Sequence, residues 1–274
     1  MEAGDSFISL KNGITQYELG GSEERETIVL VPGFSVPYFI FDITFDFLVE
    51  SGFRVMRYNL FGRGYSDRPR RRYDIRLFVD QLKELLDALN LNRVNLVGLS
   101  MGGPITAAFI DQYPQYVCKY VLIGPAGAKP IAPSWMLETL KLPALGGLVL
   151  GLFGSGNMVK GIASDFFDPQ LVEQFQEKYR VQMQFKGFKR AILSTLRHGM
   201  LGSFLDAYRR VDQLHKPTLI FWGRQDTTVP FEHSRELMRA MPRAELRIID
   251  NCGHIPHYER PAEVNPALLD FFSR

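Results

Sequence analysis

A serine, a carboxylate and an imidazole each stand where an apolar run breaks into a glycine-containing turn. The serine is Ser100, in Val94-Asn-Leu-Val-Gly98-Leu-Ser100-Met-Gly102-Gly103. The carboxylate is Asp226, in Gly223-Arg-Gln-Asp226, directly after the apolar run 216–222. The imidazole is His254, in Asp250-Asn-Cys-Gly253-His254, after the run Glu245–Ile249. A serine hydroxyl is a poor nucleophile at neutral pH. It needs a base to take its proton and an acid to hold that base in one tautomer. The chain order Ser, Asp, His is the one required of a serine carried on a strand-to-helix turn.

The turn itself is readable. The segment 94–97 suits a strand buried on both faces, and 106–110 continues as a helix. Between them, Gly98-x-Ser100-x-Gly102 is tight enough to hold the serine in a strained conformation, and its glycines remove side chains that would collide across it. The hydroxyl then stands at the positive end of the helix. The plain alternative is a Gly-rich turn that only packs closely. Asp226 could merely cap the helix after it, but its place after a buried strand favours the acid. His254 competes with His257 in one loop, and Gly253 favours His254 by allowing close approach. His198, His215 and His233 read as ordinary surface or core histidines. Acyl transfer also needs donors for a developing oxyanion. The N–H of Met101 is one candidate. The N–H of Phe34, in Pro32-Gly33-Phe34-Ser35 after the run Thr27–Val31, is the other.

The remaining pattern must position these groups. Asn12-Gly13 between alternating runs predicts a hairpin. Strands are expected at Thr27–Val31, 53–58, 120–124, 216–222 and Glu245–Ile249. Helices are expected over 39–51, 73–91 and 232–240, with a last one opened by Pro261. This alternation argues for an α/β fold, a mostly parallel twisted sheet with helices on both faces. It stops between 128 and 213, where no strand pattern is visible and helices are expected near 169–180 and 189–196. That insertion is too long for a plain loop and reads as a helical cap, splitting the core into 1–127 and 214–274. The insertion also holds 137–142 and the Gly-rich apolar run 144–153, and that apolar run would face an acyl cavity. The loop Asn59-Leu-Phe-Gly62-Arg-Gly64-Tyr-Ser66-Asp67 is not a dinucleotide fingerprint: Asp67 holds the third glycine position and Pro69 follows where a helix should begin. Arg68, Arg70, Arg71 and Arg72 read as a solvated loop, with an anion-docking patch as the alternative.

The chain has 274 residues, 46% of them hydrophobic, and a net charge of +2 with both signs dispersed, which offers nucleic acid no footprint. Cys118 and Cys252 form no metal or redox spacing and read as small buried residues, so neither metal nor cofactor is expected. No signal peptide is visible at the start. The longest apolar stretch, 142–154, is too short to span a bilayer, so no transmembrane segment and a cytoplasmic location are expected.

With these motifs in place, the chain resembles the α/β-hydrolase superfamily over nearly its whole length. The resemblance is tightest at Val31-Pro-Gly-Phe34, Gly62-Arg-Gly-Tyr-Ser66, Gly98-Leu-Ser-Met-Gly-Gly103, Gly223-Arg-Gln-Asp226 and Asn251-Cys-Gly-His254. Bacterial carboxylesterases, monoacylglycerol-lipase-like enzymes and meta-cleavage-product hydrolases are the nearest groups. The resemblance implies a triad of Ser100, Asp226 and His254 and an oxyanion hole at Phe34 and Met101. It implies a serine carboxylesterase for short- to medium-chain acyl esters, with a small-molecule ester as partner. Two departures stand out. Pro32 replaces the usual histidine of a His-Gly pair. Leu99 replaces the asparagine that carbon–carbon bond hydrolases often carry. Such a hydrolase would also need a cation for its substrate carboxylate, for which Arg180, Lys186, Lys189, Arg190 and Arg197 are candidates. A non-catalytic binding protein on this fold is a third reading. A peptidase capturing an amino terminus would need cap carboxylates such as Glu173, Glu177 or Asp206.

Overall fold

Apolar runs with no polar face, such as Thr-Ile-Val-Leu-Val at 27–31, cannot sit at a wet surface and must become central strands. The computed structural model, which describes residues 5–131 and 155–274, places them so. The strands are β1 (Ser6–Leu10), β2 (Gly13–Gly20), β3 (Thr27–Val31), β4 (Arg54–Tyr58), β5 (Val94–Leu99), β6 (Val117–Ile123), β7 (Thr218–Gly223) and β8 (Glu245–Ile249). They form one sheet in the order β1-β2-β4-β3-β5-β6-β7-β8. The β1–β2 and β2–β4 pairs are antiparallel and the rest are parallel. Register decides which loops meet. Val31 pairs with Gly98, and Gly223 with Ile249. The loops after β3 and β5 therefore leave the sheet side by side, as do those after β7 and β8.

The helices are α1 (Asp42–Glu50), α2 (Ile75–Ala88), α3 (Gly102–Gln112), α4 (Ser155–Gly161), α5 (Val172–Arg180), α6 (Phe188–Arg197), α7 (Leu205–Gln213), α8 (His233–Ala240), α9 (Pro256–Glu259) and α10 (Pro261–Ser273). Two apolar cores flank the sheet. One takes its helical residues mainly from α2, α3, α7 and α8, with Ala191 of α6. The other takes them from α1 and α10, and from Phe175, Tyr179, Phe188 and Ile192 of α5 and α6. The described part of the insertion between β6 and β7 is thus helical and anchored by its own apolar face.

Several expectations shift. The helix expected over 73–91 runs only Ile75–Ala88: the Asp74 side chain accepts from Leu77 N at 3.0 Å and caps its start, and Asn90, at φ 56°, turns the chain out of it with Leu91 N donating to Leu86 O. The 39–51 segment divides into a 3₁₀ turn, Tyr38–Phe41, and α1. Cys118 is not buried: it is the second residue of β6, where the strand emerges from cover, and its Sγ lies 3.4 Å from Glu26 Oε1. Arg68 is not a solvated residue like Arg70, Arg71 and Arg72. It is partly buried, donates to the Ser66 and Gly64 carbonyls, and lies over the Phe185 ring. The segment 137–142 and the apolar run 144–153, expected to face an acyl cavity, lie outside the described residues.

Candidate active site

Ser100 sits at φ 52°, the left-handed region that a non-glycine residue enters only when its surroundings compel it. The compulsion is steric. A Cβ on Gly98 would come within 2.5 Å of Thr106 Oγ1, and one on Gly102 within 2.3 Å of the Val31 carbonyl. β5 and α3 pack so closely that only glycine fits beside the serine. Ser100 N donates to Ile123 O at 2.9 Å, and Ser100 O accepts from Gly103 N and Ala126 N, which fixes the turn against β6.

The β7–β8 pairing brings the other two groups together. His254 Nδ1 lies 2.8 Å from Asp226 Oδ2, and both residues are buried. Asp226 Oδ1 accepts from Thr228 N at 2.9 Å and Val229 N at 2.8 Å. A carboxylate accepts, so Nδ1 donates to Asp226, and in the neutral ring Nε2 keeps its lone pair. Burial works to lower the His254 pKa, but the Asp226 charge and hydrogen bond, with a further contribution from Asp165, leave it raised. His257 plays no such part. It is turned to the Ile40 carbonyl, donating from Nε2 at 3.1 Å, and burial lowers its pKa to about 3.

Ser100 and His254 line one cavity of 290 Å³ with Gly33, Phe34, Asp165 and Tyr179. The loop after β3 lies over the serine: a Cβ on Gly33 would stand 3.2 Å from Ser100 Cβ. Among the described residues, neither Phe34 N nor Met101 N donates to a main-chain carbonyl. The Phe34 peptide is held from behind by Arg63, a fully buried cation. Its Nε donates to Phe34 O at 2.8 Å, its Nη1 to Phe61 O and its Nη2 to Thr195 Oγ1 of α6. Burial among these neutral acceptors lowers its pKa to about 10.

Sequence reasoning missed two carboxylates. Asp165, just beyond α4, reaches the cavity wall. Its main-chain carbonyl accepts from His254 N at 2.8 Å, and its Oδ1 accepts from Thr228 Oγ1 at 2.6 Å. Burial raises its pKa, against the opposing influence of His254 and Thr228. Glu259 of α9 accepts from Gly253 N at 3.1 Å and Phe167 N at 2.9 Å, tying the histidine loop to the insertion. Neither carries a local motif. The only sequence signal is Gly253, whose Cβ would meet Asp165 O at 2.5 Å. Glu173, Glu177 and Asp206 are exposed and do not line the cavity. Nor do Arg180, Lys186, Lys189, Arg190 or Arg197; among the described residues the cavity wall holds no lysine or arginine. A larger cavity of 690 Å³ lies elsewhere, against Lys11 and Arg70–Arg72, and none of the three chemistry-bearing residues reaches it.

The family model described as alpha/beta hydrolase fold matches residues 26–261. The chain is 29% identical to a 2-hydroxy-6-oxononadienedioate/2-hydroxy-6-oxononatrienedioate hydrolase of Cupriavidus pinatubonensis, over 98% of this chain and 96% of that one. It is 30% identical to a 2-hydroxy-6-oxo-6-phenylhexa-2,4-dienoate hydrolase of Burkholderia cepacia, over 70% of this chain and 67% of the relative. A solved meta-cleavage product hydrolase from Pseudomonas fluorescens IP01 shares the fold, with a TM-score of 0.80 at 23% identity over 98% of this chain and 97% of that one.

Proposed function

This chain belongs to the α/β-hydrolase-fold family, and from that premise we propose that it is a serine hydrolase cleaving a small carboxylic ester, with the 128–213 insertion as its cap. The observation that carries the reading is the cavity itself. It joins a strained serine to a carboxylate-backed histidine, and its described wall is largely apolar and holds no lysine or arginine.

In this reading Ser100 Oγ attacks the ester carbonyl carbon while His254 Nε2 takes the hydroxyl proton. The N–H groups of Phe34 and Met101 receive the oxyanion. Collapse breaks the acyl–oxygen bond, and the proton on His254 passes to the departing alcohol. Water, deprotonated by His254, then attacks the acyl-enzyme, and Ser100 recovers its proton as the acid leaves. The modest volume of the cavity favours a short- to medium-length acyl group.

A second reading has its own support. Two of the curated relatives are named as hydrolases of 2-hydroxy-6-oxo dienoate or dienedioate substrates, and that likeness favours a carbon–carbon bond hydrolase of meta-cleavage-product type here. Against it stand Leu99 before the serine and a cavity wall without a cation for the substrate carboxylate.

The test is hydrolysis of p-nitrophenyl esters from acetate to palmitate beside loss of a coloured dienol diketone acid, with wild type and Ser100→Ala. Ser100→Ala is expected to lower ester turnover on the order of 10³-fold or more with the fold intact. Near-full activity in the variant removes Ser100 from the mechanism. Turnover of the diketone acid and none of the esters moves the assignment to the second reading.

A further inference from the structure

We propose that Asp165 determines specificity: its carboxylate, on the cavity wall beside His254, holds a hydroxyl or ammonium group on the leaving part of the substrate and disfavours a carboxylate there. The inference rests on Ser100 acting as the nucleophile.

Position is the first argument. The segment that carries Asp165 is bonded to both loops that carry the proton-transfer machinery. Ser164 O accepts from Thr227 Oγ1 at 3.0 Å, Asp165 O accepts from His254 N at 2.8 Å, and Asp165 Oδ1 accepts from Thr228 Oγ1 at 2.6 Å. The absence of a side chain on Gly253 permits this approach. His254 must hand its proton to the leaving group, so the wall beside it is the wall along which the leaving group departs.

Charge is the second. Asp226 spends its oxygens on Thr228 N, Val229 N and His254 Nδ1. Asp165 takes one hydrogen bond from Thr228, whereas an ionised carboxylate offers about four lone-pair sites. The His254 ring thus faces two carboxyl groups, with no lysine or arginine on the described wall. A ligand that brings a donor or a positive charge offsets this imbalance, and a ligand that brings a carboxylate adds to it.

Three phosphonate esters test the assignment. They share one phosphonyl group, and their leaving alcohols bear an ammonium, a neutral isostere or a carboxylate at the same position. Ser100 Oγ forms a bond to phosphorus, the phosphorus–oxygen bond to the alcohol breaks, and the serine proton passes through His254 to that alcohol. Labelling is followed by intact-protein mass in mildly alkaline buffer. The wild type is expected to label with the ammonium ester faster than with the carboxylate ester on the order of 10²-fold. In Asp165→Asn this ratio collapses to about unity, and in Asp165→Glu the preference keeps its sign. Equal wild-type rates for the charged pair overturn the assignment whether or not the variants fold. So does an Asn variant that slows all three esters alike, the signature of a brace that only holds the loops. A wild type that no ester labels overturns the Ser100 reading itself, and this inference with it.

Discussion

The turn around Ser100 and the segment 164–168 meet in one cavity but are held there by different means. The turn is held by exclusion. Gly98 and Gly102 face Thr106 Oγ1 and the Val31 carbonyl at distances no Cβ tolerates, and Ser100 is left with its positive φ. The segment 164–168 is held by hydrogen bonds, and most of them run through its main chain. Ser164 O, Asp165 O and Phe167 N are bonded to Thr227, His254 and Glu259. Exclusion demands particular residue types at particular spacings. A main-chain seam asks little of the residues whose carbonyls and N–H groups it uses. The first kind of constraint writes itself into the sequence, and the second leaves almost no trace.

Three substitutions press on that contrast. Gly102→Ala drives a methyl group into the backbone of β3, which cannot give way as a side-chain tip could. It should cost about 3 kcal/mol or more, seen as a lower urea midpoint with loss of Ser100 labelling. A variant as stable and reactive as wild type would end the steric account of the turn.

Glu259→Gln leaves one oxygen to serve two N–H groups, since the amide nitrogen cannot accept from Phe167 or Gly253. The expected cost is about 1–2 kcal/mol. Hydrogen exchange should quicken at 164–168 and around Gly253 while the amides of α3 keep their protection. Faster exchange in both regions alike would mean that they are not held separately.

The smallest effect is electrostatic. Asp165 helps to raise the pKa of His254 by favouring the imidazolium, whereas catalysis needs the neutral ring. Asp165→Asn removes that charge, so the neutral form persists to lower pH. The acid limb of the kcat/KM profile should move toward lower pH, with Asp226 still holding Nδ1. A shift toward higher pH would contradict the placement of the charge.

Much of the fold is legible in the sequence, and the reasons are local. The run at 27–31 has no polar face, Asn12-Gly13 marks the first hairpin, and Pro261 opens α10 as expected. Apolar spacing alone overextends α2, because it registers neither the cap at Asp74 nor the left-handed turn at Asn90. Arg68 and Cys118 depart from their sequence reading because burial depends on what packs over a residue, here Phe185 in one case and open strand end in the other. The candidate site divides along the same line. Ser100 and Asp226 each follow a buried strand, and His254 follows the edge strand β8. Asp165 ends a 3₁₀ turn, Ile162–Asp165, in a segment with no periodicity to give it away.

What the sequence by itself determined is the turn at Ser100, the strand ends that carry Asp226 and His254, and the alternation that makes the sheet parallel. Each rests on sterics or burial acting within a few residues of the chain. Only the tertiary structure decided that Val31 pairs with Gly98 and that Gly223 pairs with Ile249, so that three distant loops share one cavity. It also decided which carboxylate among the described residues of the insertion reaches that cavity, and that the described cations do not. The physical reason is range. Close packing and backbone conformation act between neighbours in sequence, whereas charge and hydrogen bonding at a site act between neighbours in space.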